Sequence, residues 1–140
     1  MRSFNLFFDG YWREANKQYV SEGSGVYLIY RCRYLPEQDT VSLSQLIYIG
    51  KADNIKTRIA NHSEKEFSKV LEAGETLCYA YSLIEKKELD LVENALVFAE
   101  QPQCNIQLKD NYSHEDAHFT IEGACSLMKY TNYKIITKRG

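Results

Sequence analysis

The 140-residue chain holds only two prolines, Pro36 and Pro102, and seven glycines. No Ser/Gly-rich linker, low-complexity tract or internal repeat divides it, so compact packing throughout is expected. Four cysteines, at 32, 78, 104 and 125, stand far apart with no Cys-x-x-Cys pair. This argues against a disulfide framework and a clustered zinc site, and points to reduced packing thiols in a cytoplasm. No apolar stretch approaches the ~18 residues that a membrane span needs. Asp9 interrupts the early run Phe4-Asn5-Leu6-Phe7-Phe8, so a secretory leader is not expected. Neither sign of charge dominates: 17 Lys and Arg stand against 19 Asp and Glu, a formal net charge of −2, which excludes a blanket polycation.

What remains is ordinary globular composition, 44% hydrophobic and 26% charged, in a length that suits one core. A single domain over residues 1–140 is expected. The Asp9-Gly10 pair between FNLFF and Tyr11-Trp12 predicts a hairpin over residues 3–14. Residues 25–34 and 46–50 are rich in β-branched and aromatic side chains and predict two core strands, with Leu35 to Gln45 between them as a surface loop. Asp53 or Asn54 can cap a helix with Ile55 and Ile59 on its apolar face, ending near His62. A short helix from Glu64 to Glu72 is expected to close at Gly74, followed by a strand over Thr76 to Ile84. Across Lys86 to Glu100, Leu89, Val92, Leu96 and Ala99 recur at helical spacing until Pro102 stops the helix. The tail offers two further strands, His118 to Ile121 and Tyr133 to Thr137.

Two places carry residues suited to chemistry. From Tyr48 to His62 the chain reads as strand, glycine turn and helix. Gly50 lets backbone approach a phosphate, and Lys51, Arg58 and His62 supply charge and donors. Taken bare, such a basic face is more often solvated surface than ligand site. Glu93 lies at the border of the apolar stripe between Leu89 and Leu96, where a carboxylate is costly to desolvate without a partner. A bound cation would serve, and so would Lys86 or a backbone group at the rim.

These residues form an ordered set. Gly25-Val26-Tyr27 precedes Tyr48-Ile49-Gly50, Arg58 stands eight residues after Gly50, His62 four later, Glu93 within a helix, and Asn105 shortly after Gln101-Pro102. Over about residues 24 to 110 the pattern resembles the GIY-YIG nucleases, with Val in place of Ile in the first tripeptide. The runs from Gly50 to Ile55 and from Glu100 to Asn105 are similar to the nuclease domain of the bacterial excision-repair incision enzyme. Tyr27 and Tyr48 lie 21 positions apart, a longer connection than common members have and like that of some restriction-enzyme members.

The resemblance implies an α/β (α+β) domain with a small antiparallel three-stranded central sheet flanked by helices. An N-terminal hairpin (1–22) and a C-terminal extension (111–140) would add to that core. It implies hydrolysis of DNA phosphodiester bonds with one Mg²⁺ (or Mn²⁺) held by Glu93. Tyr27 would be the general base, with Tyr48 and His62 positioning the water or phosphate. Arg58 would clamp the scissile phosphate; Gly50, Lys51 and Asn105 would line the substrate site. A free tyrosine titrates near ~10, so the base role asks for nearby positive charge. Residues 51–69 carry a local net charge of +2, and Lys134, Lys138 and Arg139 add to the tail, so weak DNA binding is expected alone. A homodimer, a protein partner or recognition of a particular DNA structure would supply the missing affinity. The rival readings are a catalytically silent DNA-binding module on the same fold, and an interaction module docking through Phe7, Phe8, Tyr11 and Trp12.

Overall fold

The computed structural model describes residues 1–137; Lys138 and Arg139 of the expected basic tail lie outside them. The centre is β2 (Gly25–Leu35), whose residues 25–30 are all buried. A strand covered on both faces reads as a continuous apolar run, which is what GVYLIY supplies. It pairs antiparallel with β3 (Thr40–Ala52) on one side and with β4 (Thr76–Leu83) on the other. The sheet extends through β1 (Arg2–Arg13), β5 (Ala117–Gly123) and β6 (Asn132–Ile135) to six strands in the order β3-β2-β4-β1-β5-β6. The expected three strands are therefore half of one larger sheet, and the architecture is mixed and sheet-dominated. Both terminal segments join that sheet.

Three local expectations are corrected. Residues 3–14 form no hairpin, because β1 runs straight through Asp9-Gly10. Its first half pairs parallel with β5 from Arg2 to Phe8, and its second half pairs antiparallel with β4 from Asp9 to Arg13. These long-range ladders take up the hydrogen bonds that a local turn would have used. Gly10 serves close approach instead: a Cβ there would lie 2.9 Å from the Ala80 Cβ. Leu35 to Gln45 is likewise no loop. β2 and β3 continue to a turn over 36–39, where Tyr34 Oη donates to Asp39 Oδ1 at 2.8 Å. The alternation of half-buried Val41 and Leu43 with exposed Ser42 and Ser44 is the period of a one-faced strand. The expected helix from Glu64 to Glu72 shrinks to a single 3₁₀ turn, Glu64–Phe67, since only Phe67, Val70 and Leu71 offer apolar anchors.

Two helices complete the frame. α1 (Ile55–Ala60) is only six residues long, capped by Asn54 Oδ1 accepting from Thr57 N at 3.1 Å, with Ile55 and Ile59 buried. α2 (Leu89–Glu100) follows a 3₁₀ turn at Lys86–Glu88 and ends at Gln101 in the left-handed region, just before Pro102. The sheet has an apolar cluster on each face. Val26, Leu28, Tyr30 and Ile49 meet Val92, Ala95 and Leu96 of α2 on one side. Tyr27, Ile29, Ile47 and Tyr79 meet Ile55 and Ile59 of α1 on the other. Among the described residues no helix is long and apolar enough to cross a membrane.

The buried face of α2 yields a direct check. Leu96→Ala, at a site with no exposure, should cost about 2–5 kcal/mol of unfolding free energy in chemical denaturation. Phe98→Ala, on the exposed side, should change it by about 0.5 kcal/mol or less.

Candidate active site

Strand register decides which tyrosines meet. Tyr27 lies directly opposite Gly50, and Ile29 opposite Tyr48. The register then skips Ile47, pairing Tyr30 with Leu46; this bulge puts Ile47 and Tyr48 against the same apolar cluster, as bulges beside functional sites commonly re-aim a side chain. The Tyr27 ring can lie over Gly50 only because no side chain is there. A Cβ at Gly50 would stand 2.5 Å from both Cζ and Oη of Tyr27. Tyr27 and Tyr48 consequently come together with ring centroids 6.2 Å apart.

His62 completes this aromatic group from outside the helix. α1 ends at Ala60, so His62 lies beyond the helix that carries Arg58. The chain instead turns after the helix and drives the imidazole inward, 5.4 Å from the Tyr27 ring and 5.8 Å from the Tyr48 ring. His62 Nε2 lies 2.7 Å from Tyr27 Oη, and its Nδ1 lies 2.8 Å from Glu66 Oε1. Lys17 Nζ donates to the His62 carbonyl at 2.7 Å.

Glu93 projects from α2 to a cleft lined by Tyr48, Cys104, Asn105 and Ile106. Burial raises its pKa above the ordinary carboxylate value, while Lys51 and Arg58 pull it down. Arg58, exposed on α1, lines a neighbouring cleft with Lys51, Lys86 and Asp90. Lys51 is engaged by Asp90; that bond holds its ammonium above the usual lysine value, leaving it less free for a phosphate than expected. Asn105 is also committed. Its amide donates to the Ile49 carbonyl at 2.8 Å and its oxygen accepts from Ile49 N at 3.0 Å. With Cys104 N donating to Ile47 O at 2.9 Å, this segment covers the edge of β3 beside the tyrosines. Asn105 therefore braces the site through backbone.

The phenols do not lose protons readily in this setting. Burial raises Tyr27 most, with Tyr48, Glu93 and Glu66 adding to the rise and Arg58 opposing it. Tyr48 is raised by burial and then by Glu93. Glu93 and Arg58 thus act with opposite sign on the same pair of hydroxyls. No cluster of three or more His, Cys, Asp or Glu able to hold a metal occurs among the described residues.

Over part of its length the chain is similar to UvrABC system protein C. It is 29% identical to that protein from Hydrogenovibrio crunogenus over 107 residues, 72% of this chain and 16% of the relative. For Rickettsia bellii the figure is 32% over 97 residues, 67% of this chain and 14% of the relative. Thermosipho africanus gives 34% over 94 residues, 65% of this chain and 15% of the relative. The chain spans about a sixth of the length of these curated relatives, or less. No family model matches the chain, and no solved structure does.

The structure therefore brings Tyr27, Tyr48, Gly50 and His62 into contact, sets Glu93 and Arg58 close enough to act on the tyrosines, and ties Lys51 and Asn105 to protein groups. Glu66 was missed by sequence reasoning. Its spacing of four from His62 was a signal, but it is ambiguous in a segment that forms no helix beyond one turn.

Two measurements follow. Gly50→Ala should displace the Tyr27 ring and break its bond to His62 without unfolding the sheet, visible as shifted His62 and Tyr27 resonances in a protein that still unfolds cooperatively. Glu93→Gln should raise Tm at pH 7. With a raised folded-state pKa, the charged form of Glu93 destabilises the native state at neutral pH. The native state takes up a proton before the unfolded chain as pH falls, so the difference between the two proteins should shrink towards pH 4, near the unfolded value of about 4.3.

Proposed function

We propose that this chain is a GIY-YIG-type endonuclease domain that hydrolyses a phosphodiester bond of DNA with one bound divalent metal. The observation that carries the reading is the meeting of Tyr27, Tyr48 and His62 on one face of the sheet, with Arg58 and Glu93 acting on them from separate helices. The similarity to UvrABC system protein C supports a repair setting, in which other proteins supply DNA affinity to a chain whose own net charge is −2.

The donor set fits Mg²⁺ or Mn²⁺. Glu93 is a partly desolvated carboxylate facing a cleft, and one or two carboxylates with water and substrate phosphate are what Mg²⁺ ordinarily takes. Glu93 would hold the ion, which supplies charge stabilisation at the leaving oxygen. Arg58, exposed on α1 and lowering the pKa of both phenols by its charge, would bind the scissile phosphate and offset charge that grows on it in the transition state. Tyr27 would accept the proton of the attacking water, with Tyr48 orienting that water and His62 holding the Tyr27 hydroxyl. Burial opposes ionisation of Tyr27, so the reading requires that its proton leave along a hydrogen bond as the water's proton arrives. Gly50 admits the Tyr27 ring, and Asn105 stiffens the strand that carries Tyr48.

The experiment is incubation of the protein with supercoiled, branched and single-stranded DNA in Mg²⁺, Mn²⁺ or EDTA. Cleavage in the metals and none in EDTA is expected. Glu93→Gln should abolish it in a folded protein, Tyr27→Phe should suppress it, and Arg58→Ala should lower turnover about 10²–10³-fold. Lys56→Ala, on the solvated side of α1, should leave turnover near that of the unaltered protein. DNA binding with no cleavage of any substrate would replace this reading with a silent binding module, and undiminished cleavage by Glu93→Gln would remove the metal-ligand role.

A further inference from the structure

Glu66 has no place in the set of residues just described, yet it holds the far side of His62. Resting on the endonuclease reading, we propose that Glu66 is a positioning residue: it fixes His62 with its proton on Nδ1, so that Nε2 is the acceptor for the Tyr27 proton. The base of the reaction is then the chain Tyr27–His62–Glu66 rather than Tyr27 alone.

The hydrogen-bond inventory leads there. An ionised carboxylate only accepts, so the 2.8 Å contact between Glu66 Oε1 and His62 Nδ1 places a proton on Nδ1. A neutral imidazole then offers a lone pair at Nε2, and the 2.7 Å contact to Tyr27 Oη is a bond that the phenol donates. The ring has little freedom to turn. Tyr27, Tyr48 and Phe67 surround it at centroid distances of 5.4, 5.8 and 6.0 Å. The backbone on either side is tied by Lys17 Nζ to the His62 carbonyl and by His62 N to Ile59 O. His62 is buried, whereas Glu66 has 47% of its side chain exposed. The carboxylate thus meets solvent on its outer side while its partner is shielded.

This arrangement answers the difficulty that burial poses for Tyr27. As the water oxygen forms its bond to phosphorus, the water gives a proton to Tyr27 Oη. The Tyr27 proton passes to His62 Nε2, and the phosphorus–oxygen bond to the leaving deoxyribose oxygen breaks with its electron pair on that oxygen, which takes up a proton from solvent. No isolated phenolate forms. The imidazolium produced lies against the Glu66 carboxylate, and its proton returns to solvent after the products leave. A histidine oriented by a carboxylate on its other nitrogen is a general device for setting both tautomer and direction.

The test pairs nitrogen-15 NMR of the histidine ring with cleavage kinetics on the full chain. In the unaltered protein His62, assigned by loss of its signals in His62→Gln, should show the Nδ1–H tautomer. Glu66→Ala should shift it towards Nε2–H and lower kcat about 10- to 100-fold with little change in KM for DNA. Glu66→Gln keeps an acceptor oxygen without the charge, so it should retain the tautomer and lose less kcat. Glu64→Gln, on the same turn and exposed, is the control and should match the unaltered protein. An Nε2–H tautomer in an active protein, or a Glu66→Ala kcat equal to that of the control, overturns the positioning role alone. A Nδ1–H tautomer in a protein that cleaves none of the DNAs overturns the endonuclease reading, and the catalytic purpose of Glu66 with it.

Discussion

Because β2 is covered on both faces, each of its backbone polar groups has to be paired within the sheet, and an unpaired group in that position would cost about 1–3 kcal/mol. That requirement places β3 on one side and β4 on the other, and the rest of the molecule is arranged around this trio. α2 covers the face that carries Leu28 and Tyr30, and α1 covers the face that carries Tyr27 and Ile29. The two helices approach the tyrosines from different directions for the same reason: each has to bury its own apolar side against one face of one strand.

The candidate site lies where this packing leaves room for polar groups. Tyr27 belongs to the apolar cluster under α1 through its ring, but its hydroxyl reaches past Gly50 to His62. The absence of one Cβ thus converts a core tyrosine into a site residue. Its ring stabilises the fold and its hydroxyl keeps a polar partner, so the two contributions can be separated by a change that removes only the oxygen. Glu93 has the opposite character. Desolvation makes its charge unfavourable in the folded state, and Lys51 and Arg58 offset only part of that cost. A carboxylate whose pKa is raised by burial at a cleft is a common mark of a group retained for binding or catalysis.

Long-range pairing also accounts for the places where local signals misled. Asp9-Gly10 is a strong hairpin signal, yet β1 has better partners at distance in β4 and β5. Pro36 to Asp39 looked like part of a long loop, and the alternation from Val41 onward was the overlooked sign that the strands continue. In the site, the spacing of Tyr27, Gly50, Arg58 and Glu93 was legible because each lies at a defined point on a strand or helix. Glu66 was not, because its role follows from a turn after α1 that brings His62 inward.

The amino-acid order by itself determined the elements whose pattern is local and repetitive: the buried run of β2, the cap at Asn54, the apolar stripe of α2 and its stop at Pro102. It also determined that Gly50 would stand two residues after Tyr48, which fixes a bare position on the strand. Tertiary structure alone decided that β1, β5 and β6 extend the three strands to six, and that Lys51 and Asn105 are held by protein groups. It alone decided that His62 sits between Tyr27 and Glu66. Hydrogen bonds within a helix or tight turn are set by neighbours a few residues away. Those that join Tyr27 to His62, or Asn105 to Ile49, span 35 and 56 positions, and they exist only after the apolar faces have chosen their partners.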